Sequence, residues 1–336
     1  MAEKTTARAA PAGHAADGPR GGGLRITRRG IQIALGCIWL IDGLLQFQSF
    51  MYSKAFLTQV IEPTAQGQPG FISAPIMWFA HFYGHDMALW NTLAAEIQCV
   101  IGLGLIVSRR TVRPALALSY GWAFIVWWFG EGFGTILSGA PVSPLMGAPG
   151  AVLVYGLIGL LVWPRKPEGE GSAADGGLLG QRGGQVVWSV LWLEAAVLWL
   201  LNVDSTRTAI HDQIAGMASG APSWLASIQN PVANALQGDG VWLATVLAIA
   251  SVAIGLGVWS RQGRWLALAL GALLSIAYWV FGQSLGGPFW IGNATDVNTG
   301  PLLALLALTL MPPLSHATQA ASEAPARAQA EAAVAT

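Results

Sequence analysis

Apolar residues in this chain run in long blocks, broken by short polar or glycine-rich stretches. A bilayer-spanning helix needs about 20 mainly apolar residues. Read this way, the pattern predicts an all-α membrane protein with eight transmembrane helices. The first four blocks cover residues 30–47, 87–107, 112–129 and 147–163, and the last four cover 185–201, 241–259, 265–281 and 300–314. Between the first two blocks the pattern changes. Phe56, Val60 and Ile61 with Gln59 and Glu62 predict a short amphipathic helix, broken by Pro63, Gly67, Pro69 and Gly70. The aromatic run Trp78, Phe79, Phe82, Tyr83 suits a membrane interface.

The blocks repeat. Ile101-Gly102-Leu103-Gly104 returns as Ile254-Gly255-Leu256-Gly257, about 153 residues later, as repeat architectures do at a fixed period. Trp39-Leu40 returns at the same spacing as Trp192-Leu193, and Phe129-Gly130 returns one residue earlier in register as Phe281-Gly282. The expected organisation is therefore tandem: a polar tail over 1–29, a four-helix repeat over 30–164, a linker over 165–184, a second and degenerate repeat over 185–314, and a polar tail over 315–336. Two parallel-repeat four-helix bundles follow. The tails and the linker are expected to be disordered from their small, polar composition.

Composition sharpens the class. The chain is 54% hydrophobic and 10% charged with a mean hydropathy of +0.52, against roughly 25% charged in soluble domains. It carries no net charge and no basic patch interleaved with aromatics, which excludes nucleic acid as a natural partner and leaves the lipid bilayer. With eight spans, all Lys and Arg except Lys54 and Arg207 fall on one side, so both termini are expected to be cytoplasmic.

Acidic groups are asymmetric between the repeats. Asp42, Glu96 and Glu131 face Ala195, Ile249 and Gln283. At 1.5 Å per residue Asp42 lies roughly 9 Å and Glu96 roughly 13 Å inside the outer end of its span. Carboxylates at such depths are costly and normally face a bundle interior or wet cavity, so the three form the candidate polar site. Glu194 is a fourth intramembrane acid, expected to have a packing role. His81 and His85, four apart, with Asp86 form a candidate divalent-metal site. Cys99, three residues after Glu96, is a candidate redox thiol, while both cysteines fit equally as buried apolar groups. Trp127, Trp128 and Tyr120 are candidates for stacking on a quinone.

The run Ala95-Glu96-Ile97-Gln98-Cys99-Val100-Ile101-Gly102-Leu103-Gly104, then Arg109-Arg110 and an apolar helix, resembles the DoxX pattern, and Leu35 to Gly43 resembles its first helix. Each half is similar to one four-helix DoxX-like unit. The resemblance implies a bacterial cytoplasmic (inner) membrane protein and a membrane subunit or accessory of a quinone-linked redox system, working with a redox partner subunit. Glu96 matches the family's helix-two acid. The family includes the membrane subunit of a thiosulfate:quinone oxidoreductase, but an acidic site repels thiosulfate. Two other readings stand beside it: a transporter or receptor for a cation, metal or proton-coupled solute, and a non-catalytic envelope assembly protein. Homo-oligomerisation is compatible with each.

Overall fold

The computed structural model describes residues 25–139, 142–169, 171–201, 207–287 and 292–313. Ile26–Pro313 form one compact unit. The expected tails lie outside the described residues apart from 25–29, of which Arg28 and Arg29 already open the first helix.

The chain is a multi-pass all-α membrane protein. Twelve α-helices follow one another among the described residues: α1 Arg28–Leu45, α2 Lys54–Phe56, α3 Gly70–Gly84, α4 Met87–Val107, α5 Val112–Ile125, α6 Ala151–Val162, α7 Gly180–Leu201, α8 Ala209–Ser219, α9 Ser223–Ala235, α10 Gly240–Gly257, α11 Arg264–Phe281 and α12 Thr299–Leu310. The expectation of eight spans is corrected. Only four of these helices, α4, α7, α10 and α11, are long and apolar enough to cross a membrane. Each block expected to span is helical, but four fall short for identifiable reasons. In α1 the 18 residues include Arg28, Arg29 and Asp42. In α5 the regular helix stops at Ile125 and widens into a π-helical turn, Val126–Gly130. α6 and α12 have 12 residues each, about 18 Å of helix against a hydrocarbon core of about 30 Å. The block expected over 147–163 opens with four residues of irregular chain before α6.

That irregular chain has the same form at both places. After α5, Gly132, Phe133, Gly134 and Thr135 all have positive φ, from 53° to 69°. After α11, Ser284, Leu285, Gly286 and Gly287 do the same, from 46° to 75°. Left-handed backbone costs roughly 1–2 kcal/mol per non-glycine residue, so neither turn persists without compensation. The compensation is a cap. Glu131 Oε1 accepts from Val152 N–H of α6 at 3.1 Å, and Gln283 Oε1 accepts from Gly300 N–H of α12 at 3.1 Å. Each satisfies an otherwise unpaired donor in a first helical turn.

Helix pairs also correspond. α1 packs on α4, and α7 on α10. At the first crossing a Cβ on Gly36 would stand 2.8 Å from Gly102 O, so only small residues permit the approach. At the second, Ser189 Oγ donates to Gly255 O at 2.7 Å. α6 and α12 sit side by side in the centre, each touching both α1 and α7. The loops that precede them cross over. Residues 143–149 lie against α11, where a Cβ on Gly282 would meet Leu145 O at 2.1 Å. Residues 294–298 lie against the end of α1.

The segment expected to be a disordered linker is packed. Arg28 is 5% exposed, and its guanidinium donates to Ala173 O, Lys166 O and Asp175 O. Ala174 N–H donates to Thr309 O at 3.1 Å. A buried guanidinium that finds several carbonyls orders a loop whose composition alone is neutral.

Candidate functional site

The last turns of α1 place Trp39, Asp42 and Gln46 on one face, as spacings of three and four require. All three line a cavity of about 120 Å³. Its walls are Ala94 and Gln98 of α4, Trp122, Ile125, Val126 and Phe129 at the end of α5, and Ala151, Val152 and Tyr155 of α6. Phe56, Val60, Ile61, Phe79 and Tyr83 from the 49–84 excursion form its roof. Gln68 Nε2 anchors that roof by donating to Gly132 O at 2.7 Å. Thr295 and Asp296, from the far half of the chain, close one side.

The polar floor is held tightly. Asp42, 3% exposed, accepts from Tyr155 O–H on one oxygen and from Val297 N–H at 3.2 Å on the other. Gln46 and Gln48 donate to Thr295 O and Ala294 O at 3.1 and 2.9 Å, so the 294–298 loop is stitched to α1. Asp296 accepts from Asn298 N–H at 2.6 Å and from Thr295 Oγ1 at 2.8 Å.

Glu131 follows the last turn after α5, outside every spanning helix. Its backbone is partly exposed but its carboxylate is buried, and Oε2 has no hydrogen-bond partner. Gly150, at φ +110°, leaves room for that oxygen, because a Cβ there would lie 2.2 Å from it. Burial, and then the negative charge of Asp296, push Glu131 up to about 8, against the pull of the Val152 and Ala151 N–H groups. Burial also raises Asp296 above the usual carboxylate range.

Four buried polar atoms on the cavity lining have no partner: Trp39 Nε1, Trp122 Nε1, Gln98 Oε1 and Glu131 Oε2. Buried polar groups are rarely left unpaired, because each costs about 1–3 kcal/mol. Two donors and two acceptors facing aromatic walls suit a ligand with a flat apolar body and oxygen functions. No Lys, Arg or His lines the cavity.

Of the expected polar triad, Asp42 and Glu131 therefore meet in one cavity, and Glu96 does not. Glu96 is on the exposed face of α4, while Gln98, two residues on, turns inward. Asp86 is the N-cap of α4, accepting from Leu89 N–H at 3.0 Å. His81 and His85 have rings 4.8 Å apart and line a surface groove with Lys54 and Glu62. Among the described residues no three His, Cys, Asp or Glu are grouped to hold a metal. Cys99 packs at the α1–α4 crossing, its Sγ 2.7 Å from where a Cβ on Gly43 would be. Glu194 lines none of these cavities, and both its oxygens lack a partner. The cavity's rings are Trp39, Phe56, Phe79, Tyr83, Trp122, Phe129 and Tyr155, not the expected Trp127, Trp128 and Tyr120.

Sequence reasoning missed Tyr155 and Asp296. A signal for Tyr155 existed, since a tyrosine inside an apolar block must find a partner for its hydroxyl. Asp296 had none, because only the crossed loop brings it to α1. No family model, no curated protein and no solved structure matches this chain.

Proposed function

We propose that the chain is a tandem-duplicated, DoxX-like membrane component of a quinone-linked redox system, and that its first half holds the quinone headgroup. The observation that carries this reading is the convergence of unpartnered indole N–H donors and buried carboxylates on one aromatic cavity. A quinone offers two carbonyl acceptors, which the Trp39 and Trp122 N–H groups complement. A quinol offers two O–H donors, which Gln98 Oε1 and Glu131 Oε2 complement. Oxidation of a quinol releases two protons and two electrons. The carboxylates would take the protons, and a partner redox protein would take the electrons. The matched left-handed turns, matched caps and matched glycine crossings support the duplication. Glu96, which carries the DoxX resemblance, faces away from the cavity, so the site rests on geometry and not on the motif.

The test uses the full chain in lipid nanodiscs. A short-tail quinone should quench tryptophan emission to saturation. Trp39→Phe with Trp122→Phe should weaken binding about 10–100-fold, as loss of two hydrogen bonds worth about 0.5–1.5 kcal/mol each implies. Absence of saturable quenching would remove this reading. A second reading, a site for a cationic or proton-coupled solute, is favoured by the absence of basic residues from a lining that holds three carboxylates. It predicts that a hydrophobic amine binds and that quinone does not compete with it.

A further inference from the structure

The aromatic cavity has a neighbour. A second cavity of about 330 Å³ is lined by Thr135, Ser143, Asn298 and Thr299, together with Glu131 and Asp296. The two cavities share only Glu131, Ala151 and Asp296. One side of this wall is aromatic and built for an organic ligand. The other has a mixed lining whose hydroxyl, amide and carboxylate groups can partner water, which needs several polar partners per molecule, and it is roomy enough to hold it.

We propose that Glu131 and Asp296 are a proton gate between the aromatic cavity and water in the polar vestibule. Glu131 is divided between two tasks. Oε1 is committed to the N-terminus of α6, where it accepts from Val152 N–H. Oε2 is buried, unpartnered and left for a proton. On the cavity side Trp39 and Gln98, 2% and 6% exposed, each present an unpartnered polar atom, so a polar ligand group is expected beside the gate. The titratable groups facing Glu131 are Asp296 from the crossed loop and Tyr155 from α6, and Asp42 of α1 lies on the same cavity lining. No basic residue lines either cavity. Among the described residues, then, no cation of the chain itself on either lining neutralises Glu131 and Asp296.

The step is a plain proton transfer. An O–H bond of the ligand breaks, the proton joins Glu131 Oε2, and the neutral acid then passes it to a vestibule water and returns to carboxylate. The second half has no such gate, because Gln283 stands at the Glu131 position and an amide carries no exchangeable acid proton. The quinone reading is needed only for what delivers the proton, since exchange between Glu131 and water requires no ligand.

Infrared spectroscopy of the full chain in nanodiscs tests this. Stepping the pH through about 8 should remove a carboxylic C=O absorption, and transfer to D₂O should shift that band at once. Glu131→Gln should abolish the band, and Glu131→Asp should keep it at a displaced midpoint. Asp296→Asn should lower the midpoint by removing a neighbouring negative charge. Gln283 already performs the same capping in this chain, so Glu131→Gln is expected to fold, and circular dichroism checks it. A band that survives Glu131→Gln, or one that stays protected from D₂O for hours, overturns the gate. A protein that shows the exchange but binds no quinone keeps the gate and loses the quinone. A protein that binds quinone without an exchanging band loses the gate alone.

Discussion

Where the first half has a cavity, the second has a plug. Gln46, Gln98 and Val126 line the cavity, and the repeat register places Trp199, Ser251 and Tyr278 opposite them. Trp199 is fully buried, and its indole donates to the Tyr278 hydroxyl at 3.2 Å, which in turn pairs with Ser251. Ala195 stands opposite Asp42 and Gln283 opposite Glu131, and counting from the capped residues Val152 and Gly300 places Leu303 opposite Tyr155. The scaffold devices are the same in both halves, namely crossing helices, left-handed turn, cap and short fourth helix. What differs is whether the space between them is filled. The comparison separates residues that hold the fold from residues that serve a ligand, and it does so inside one chain.

The largest expected effect is on the plug. Trp199→Ala should cost about 3–5 kcal/mol, the usual loss for truncating a buried tryptophan, read as a lower unfolding temperature in detergent. The corresponding change in the cavity, Gln46→Ala, should cost much less, because it deletes one hydrogen bond to Thr295 O and only widens a cavity that already exists. Equal losses would break the comparison.

Next comes the cap. Gly150→Ala meets both a positive φ and the Glu131 carboxylate. It should cost about 1–3 kcal/mol and abolish whatever binds in the cavity. Quantitative chemical unfolding and ligand titration on the same sample would check both parts.

A pH slope tests the pair of caps in another way. Glu131 sits at about 8 in the folded protein against an ordinary value of 4.5. The folded state therefore holds a proton that the unfolded state has released. This contribution to stability is complete below about 4.5 and fades as pH rises to about 8. Glu131→Gln should flatten that part of the stability–pH curve, and Gln283→Glu should add a similar slope from the second half. A curve unchanged by both substitutions would mean that a carboxylate at the cap does not titrate differently in the folded and unfolded states.

Much of this was legible in the sequence. The α4 bounds coincide with the expected block, and Asp42 and Glu131, two of the three acids singled out, line one cavity. The eight-span count failed because apolarity reports what a segment can bury, not whether it is one regular helix. The fourth and eighth expected blocks are apolar throughout, but the regular helices within them, α6 and α12, have only 12 residues each. Glu96 was misplaced for a related reason: depth along a helix was readable, but its facing was not. Asp296 entered the site through a loop exchange that no local pattern encodes.

The most direct test moves the plug. Gln46→Trp with Val126→Tyr places the second half's filler in the first half's cavity. In nanodiscs the wild type should bind one short-tail quinone per chain, and the double variant should bind none while keeping its helical content and thermal stability. Undiminished binding in a folded double variant would contradict the account, because the ligand would then lie elsewhere in the molecule.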